Sequence, residues 1–459
     1  MTSAPAIGRT GPAAALPPIV PGSFLLGSAL DLRRDMLGTF ERAFAEQGDV
    51  VRFLAGPPGM RQGLYVLFHP DAAHRVLASF SANYRKENVF YSEVRNGFGD
   101  SLLTSQDDEW QRQKRFLQPL FRPKQVDGYA ADMSEQVDGV ARRWRSRPAG
   151  TVDLHEEMTR LTLATVCRIL FGEDLGRALP VVQREFAPLG EAVLRRTMAP
   201  MRLPVGVPSP VNRRLTRARV ALYGVCDEIV ARRRASGDRQ QDMLGLLLDA
   251  RDGDSALTDT EVRDQVLVFL LAGHETTSTA LTFTLDLLGR HPDVQRRVRA
   301  EVDAVVGAAT PTAQHAAALE YTAMVLKEAM RLYPSAPVIG RRAVADDEIC
   351  GYRIPAGSDV WVSPWVIHKH PDFWDEPARF DPERFAAGQE KARHRYAWLP
   401  FGGGPHACIG QHFSMLESAI AVAMLVREFE FTAPPGEPPY TNHITLRPTD
   451  GVPSLVTPV

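Results

Sequence analysis

Cysteine is scarce in this chain, with four in 459 residues: Cys167, Cys226, Cys350 and Cys408. None forms a Cys-x-x-Cys or Cys-x-x-Cys-His pattern, which excludes a disulfide-built scaffold and leaves reduced thiols in the cytoplasm as the expectation. Long apolar runs are also lacking. The longest, residues 266–272 and 419–426, fall far short of the about 20 residues a bilayer span needs, so no membrane span is expected. Residues 1–16 lack the charged start and sustained apolar core of a signal peptide. Their Ala, Pro and Gly content makes residues 1–15 an expected disordered start, with residues 16–459 as one domain. No Lys/Arg run and no zinc-finger spacing occurs, and the formal net charge is -2, so a nucleic-acid partner is not expected.

What is present is ordinary globular material, 44% apolar and 24% charged, patterned mostly for helix. Alternation at residues 50–53 and 63–67 predicts a small early sheet. Helical periodicity dominates residues 110–307, broken by a Pro- and Arg-rich loop over residues 198–214. Residues 334–405 turn irregular, with short strands, and helix resumes after Cys408 to about residue 429. The fold class is mainly α with small β sheets. Thr258 and Glu261 fit a capping box, and Gly289 and Pro292 mark a far end. That predicts a helix of roughly 30 residues, about 45 Å long, apolar nearly all round and therefore central.

Three constellations carry chemistry. The first is Phe401-Gly402-Gly403-Gly404-Pro405-His406-Ala407-Cys408-Ile409-Gly410. Its glycines permit a sharp turn close to a flat ligand, and a helix start after Cys408 favours a thiolate, the ligand that pushes electron density toward haem iron. The dinucleotide reading of Gly402-x-Gly404-x-x-Ala407 lacks its βαβ context, and a zinc site from His406, Cys408 and His412 lacks a second Cys. On spacing alone, a haem thiolate and a buried cysteine in a tight turn weigh about evenly. The second constellation interrupts the long helix with Ala272-Gly273-His274-Glu275-Thr276-Thr277. Gly273 leaves room for a flat group or a small gas molecule. Thr276 can return its hydroxyl to the carbonyl of Ala272 and bend the helix, and an acid beside an alcohol suits proton delivery. A satisfied polar pair in a helix is the alternative. Ser278 stands where a zinc-protease helix would need its second His. The third is Glu328 and Arg331, three residues apart on one helix face, with Arg384 positioned to join them and hold the loop that presents Cys408.

Together and in this order, these motifs resemble the cytochrome P-450 family. Phe401, Gly404, His406, Cys408 and Gly410 fill its haem loop. Ala272, Gly273, Glu275 and Thr276 fill its oxygen motif, and Glu328, Arg331 and Arg384 its structural triad. The resemblance implies a single-domain P-450-like fold with a long central helix, of the soluble bacterial type. It also implies haem b (iron protoporphyrin IX) as cofactor, with Cys408 as the metal ligand and Glu275 and Thr276 as catalytic residues. Cofactor contacts fall on Trp110, Lys114, Ala272, Arg341, Phe401, Gly402, His406 and Gly410. The family usually has Arg where Lys114 stands, and Arg115 is the neighbouring candidate; a solvated basic face that docks an acidic redox partner is the other reading of both. The implied activity is insertion of one oxygen atom from O2 into a hydrophobic terpenoid, fatty acid or polyketide, with electrons from a ferredoxin and its reductase. The implied pocket comprises Phe90, Tyr91, Phe98, Val268, Phe269, Ala336, Val338, Ile339, His443 and Ile444. The Ala-Gly-His-Glu-Thr-Thr wording looks like the fatty-acid-hydroxylating and membrane-bound branches. A haem-thiolate peroxygenase or isomerase, or a non-enzymatic haem sensor, are the alternatives, and Glu275 with Thr276 argues against the former.

Overall fold

A computed structural model describes residues 14–146, 149–172, 178–199, 202–237, 242–252 and 255–459. Most of the expected mobile start, residues 1–13, lies outside them. Ala15 is tied down, its carbonyl accepting from the Arg353 amide at 2.9 Å.

The expected early sheet forms from Val50–Ala55 and Gln62–Leu67, paired antiparallel from Val50 opposite Leu67 to Ala55 opposite Gln62. Alternation placed these strands, but it could not show their partners from the irregular C-terminal half. Asp359–Val362 adds in parallel to Gln62–Leu67, followed by Ile339–Ala343 and Tyr84–Arg85. A second sheet joins Gly150–Asp153 to Pro453–Pro458 and Phe429–Thr432, bringing the chain's end to its middle.

Helices form the bulk. The central one runs unbroken over Asp259–Arg290, and both halves of the Thr258–Glu261 capping box are present. It packs most extensively against Leu154–Phe171 and also against Glu320–Leu332 and Gln411–Glu428. By length and mean hydropathy this helix is apolar enough to cross a membrane, yet 83% of its most apolar window is buried inside the protein. Uninterrupted apolar runs do not reveal that property, because polar residues divide the window without lowering its average much. Burial among other helices satisfies its apolar surface. The loop after Ala178–Thr197 is shorter than residues 198–214, because Ser209 caps the Asn212 amide and Pro210 occupies the first helical turn of Pro210–Ser236.

Candidate functional site

The loop carrying Cys408 is anchored from below. Glu328 and Arg331 form a two-bonded fork, Oε2 to Nε at 2.7 Å and Oε1 to Nη2 at 2.8 Å, with both side chains wholly buried. Arg384 Nε approaches Glu328 Oε1 at 3.4 Å, completing the expected triad. The remaining Arg331 donors reach the carbonyls of His368, Pro377 and Arg379 at 2.9, 2.7 and 3.1 Å. His368 then accepts at Nε2 from the Leu399 amide at 2.9 Å, two residues before Phe401. Burial and the neighbouring Arg331 push His368 down to about 3, so it is neutral and free to accept. Spacing gave no sign of this bridging residue, since His368 lies far from both motifs in the chain.

The glycines serve the protein before any ligand. Gly404 has φ +67°, and a Cβ there would lie 1.8 Å from the Leu77 carbonyl oxygen. A Cβ on Gly403 would meet the Tyr396 ring at 2.5 Å. The loop is thus pressed onto two neighbouring segments, and the Cys408 amide closes it by donating to the Phe401 carbonyl at 2.9 Å. Gln411–Glu428 follows at once, as expected. The expected net lowering of the Cys408 thiol is reversed in the protein alone: burial pushes it up, and the Gly410 amide only opposes this. The residue nevertheless counts as exposed.

The same contrast recurs on the central helix. Ala272 is exposed and Thr276 half-buried, between fully buried Leu271, His274 and Glu275. A hydrogen bond of 3.0 Å between Thr277 Oγ1 and Ser414 Oγ joins this stretch to the helix after Cys408. Thr276 donates to the Ala272 carbonyl at 2.8 Å, as expected. Gly273 does not face open space: a Cβ there would meet Val166 Cγ2 at 2.7 Å, so the glycine lets the neighbouring helix close in. The Glu275 and Thr276 side chains also do not lie side by side. Adjacent helix positions point in different directions, and the Glu275 carboxylate turns to Arg447 Nε and the Thr445 hydroxyl, both at 3.3 Å.

Around the loop gathers a cluster of positive groups. Trp110 lies 4.2 Å from the His406 ring, and Lys114 Nζ is 4.5 Å from the Trp110 ring while donating to the Pro405 carbonyl at 3.2 Å. Arg115 is exposed, so Lys114 is the one turned to the loop. Arg341 is buried and reaches the Tyr91 hydroxyl at 3.2 Å. Lys86, which the motifs did not flag, is buried beside them and donates to the Leu103 carbonyl at 3.0 Å. Burial, then Arg341 and Arg95, push Lys86 down to about 7. Burial, then Lys86, Arg341 and Lys114, push His406 down to about 3. Among the described residues no carboxylate lies within 4 Å of Lys86, Lys114 or Arg341, and His406 Nδ1 is buried without a partner. Such a cluster fits a flat group that carries its own carboxylates.

Of the expected pocket residues, Phe90, Val338, His443 and Ile444 line one small cavity with Met36, Leu194, Gly340, Trp361 and Asn442. Phe98 packs on Phe186 and Phe269 stacks on Phe121 at 5.5 Å, both in the main core together with Val268. Tyr91 serves Arg341, a Cβ on Gly402 would meet Ile339 Cδ1 at 3.8 Å, and Ala336 is half-buried on the segment leading to Val338.

The family model for cytochrome P450 matches residues 17–452. A cyclooctat-9-en-7-ol 5-monooxygenase of Streptomyces melanosporofaciens is 34% identical over 91% of this chain and 90% of its own length. A pentalenene oxygenase of Streptomyces avermitilis is 30% identical, covering 90% of each. The crystal structure of the cytochrome P450DA heme domain superposes with a TM-score of 0.86 at 28% identity, over 97% of this chain and 98% of that one. The chain belongs to the cytochrome P450 family. It is a haem-dependent monooxygenase of hydrophobic substrates, drawing on O2 and a redox partner.

Proposed function

We propose that this enzyme oxygenates a cyclic terpenoid on a haem whose iron is held by Cys408, residues 16–459 acting as one unit. The observation that carries the site assignment is the positive cluster of Lys86, Arg341 and Lys114 beside His406. Buried cations without carboxylates are costly, and the two propionates of haem b would neutralise them. Trp110, Phe401, Gly402, Ala272 and Gly410 would border the same group. Haem, once bound, supplies the reductive activation of O2.

The protein's own contribution is orientation and protons. Cys408 is held by the Glu328–Arg331–His368 chain so that its sulfur cannot drift. Thr276 donates its hydroxyl hydrogen to the Ala272 carbonyl, which leaves the oxygen's lone pairs available to accept a hydrogen bond from a proton donor at the site. Glu275 is the carboxylate next in line. The apolar cavity of Phe90, Val338, Trp361 and Ile444 excludes water from the substrate. Two relatives are named for cyclic terpenoids, cyclooctat-9-en-7-ol and pentalenene, which favours that class over fatty acids and polyketides.

For the electron donor we favour a ferredoxin with its reductase. A broad depression on the Cys408 side is lined by His74, Lys391, Arg393, His394 and Arg395 and floored by residues 401–404, with Glu390 as the carboxylate among its lining residues. An acidic partner suits that surface. Among the described residues none of the four cysteines forms a disulfide, which supports a reducing, cytoplasmic setting.

The test is spectral. Reduced protein with CO must show the red-shifted Soret band of thiolate ligation, and Cys408→Ser must abolish it. Cyclic sesquiterpenes and diterpenes must then give a low- to high-spin shift at lower concentration than fatty acids. Turnover that needs peroxide alone, or haem binding without any turnover, would replace this reading with a peroxygenase or a sensor.

A further inference from the structure

The cysteine loop has a second support, separate from the Glu328–Arg331 fork. Gly404 sits against the Leu77 carbonyl, and Leu77 belongs to a single π-helical turn, Arg75–Ser79, that continues the short helix Pro70–His74. In this turn the Phe80 amide donates to the Arg75 carbonyl, five residues back, at 2.9 Å. Such turns are rare and short. Contacts from outside hold this one.

Asp347 supplies them. Its two carboxylate oxygens accept from Arg75 Nε at 3.0 and 2.9 Å, and Arg75 Nη2 is bonded to Oδ1 as well. The Tyr84 hydroxyl donates to Oδ2 at 2.6 Å and the Glu348 amide to Oδ1 at 2.8 Å. The Asp347 side chain is only 2% exposed. At the far end of the turn, the Arg75 guanidinium lies over the Phe80 ring at 5.0 Å.

Tyr84 leads to the other half of the site. Its strand, Tyr84–Arg85, pairs with Ile339–Ala343, with Tyr84 opposite Ala343 and Arg85 opposite Arg342. Lys86 follows the first strand directly, and Arg341 stands within the second. Asn83 reinforces the join: its Nδ2 donates to the Ala345 carbonyl at 3.1 Å, and the Ala345 amide donates to its Oδ1 at 2.8 Å. Leu77, Tyr84, Ala343, Tyr396 and Leu399 share one apolar cluster beneath the loop. One buried carboxylate thus joins the turn under the cysteine loop to the strands that present the positive cluster.

We propose that Asp347 is a positioning residue for the haem: through Arg75 it holds the π turn against Gly404, and through Tyr84 it holds the strands of Lys86 and Arg341. This rests on the reading in which Cys408 ligates the iron and the cluster meets the propionates. Bonds to a charged carboxylate are about twice as strong as neutral ones, so each arm is stiff while the charge is in place. Losing the Arg75 arm lets Leu77 move off Gly404 and gives the Phe401–Cys408 loop a second position. Losing the Tyr84 arm leaves that loop seated and loosens Lys86 and Arg341.

The holoenzyme separates the two arms by two readouts, taken well below the melting temperature of each variant. In Arg75→Gln, the fraction of reduced, CO-bound protein lacking the red-shifted Soret band must rise several-fold. Arg75→Lys keeps the charge without the fork and must fall between Arg75→Gln and wild type. In Tyr84→Phe that fraction must stay at the wild-type level, while haem transfer to apomyoglobin quickens about tenfold, as for one hydrogen bond to a charged group. Asp347→Asn must show both changes. Should Asp347→Asn fail to fold, the single-arm variants decide, and Arg75→Lys stands in for Arg75→Gln on the same condition. An unmoved Soret fraction in the Arg75 variants overturns the proposal, as does an unchanged transfer rate in Tyr84→Phe. Losses in both readouts that only track each variant's melting temperature also overturn it, marking the network as packing. If the wild type lacks the thiolate band the parent reading fails; a wild-type band beside unmoved variants sinks only the role of Asp347.

Discussion

The two sides of the candidate haem site are built on opposite plans. On the cysteine side, a buried fork, three carbonyl contacts and one neutral histidine fix a glycine-rich loop in a single place. On the oxygen side, an unbroken helix carries its polar groups outward to a hairpin, and each contact is single and 3.3 Å or longer at the carboxylate. A metal ligand gains from immobility, because a shift of the sulfur changes the iron's coordination. A proton carrier gains from partners it can leave. Dense bonding on one side and sparse bonding on the other follow from those two needs.

The comparison breaks most readily at Arg331. Arg331→Ala leaves Glu328 buried without its cation and orphans three carbonyls, a loss of about 3–5 kcal/mol. Denaturant melts should report it, together with near-complete loss of haem from the purified protein. A loss as small on this side as for an exposed ion pair would contradict the contrast.

Next is Glu417, wholly buried on Gln411–Glu428 behind the same loop, its carboxyl pushed up to about 8 by burial with only the Thr165 hydroxyl opposing. The folded protein holds a proton there that the unfolded chain has released above about pH 4.3. Stability is therefore full at low pH from this group and declines as pH rises toward about 8. Glu417→Gln should flatten that decline and stabilise the protein at pH 8 by about 2–4 kcal/mol, measured as denaturation midpoints across pH 5–9 (roughly the span of the shift).

Gly404→Ala comes third. The added Cβ collides with the Leu77 carbonyl and the backbone stays left-handed, a cost of about 1–3 kcal/mol. It should show as a broadened or shifted Soret band in the reduced-CO spectrum while the far-ultraviolet circular dichroism is unchanged. The smallest effect belongs to the substrate cavity. Ile444→Ala should weaken the terpenoid-induced spin shift by about 5–10-fold with little change in melting, because the shorter side chain covers less of the substrate's apolar surface. Phe269→Ala should do the reverse, lowering stability by about 3–5 kcal/mol while leaving substrate affinity nearly unchanged. Equal loss of affinity in both would return Phe269 to the cavity wall.

Spacing along the chain made much of the cysteine side readable. Glu328 and Arg331 share one helix face, the glycines stand four to six residues before Cys408, and Thr258 with Glu261 marks the start of the central helix. Each of these is a local pattern with a local physical cause. Lys86, His368, Thr445 and Arg447 had no such signal. They reach their partners across long stretches of chain, and a lysine or histidine standing alone in a sequence looks the same on a solvated surface as in a buried cluster. Gly273 and Phe269 mislead for a related reason. A small residue or a ring on a buried helix has two faces to choose from, and only packing against Val166 and Phe121 decides which one.

By itself, then, the sequence determined the helical class, the long central helix, and the order of cysteine loop, acid–alcohol pair and Glu–Arg fork, because those features depend on capping, periodicity and short-range geometry. The tertiary structure alone decided that Glu275 turns to Arg447 and away from Thr276, that the positive cluster includes Lys86, and that four of the ten expected pocket residues share one cavity. Those outcomes turn on which surfaces meet when helices and sheets close over one another, and no window of local sequence contains both partners.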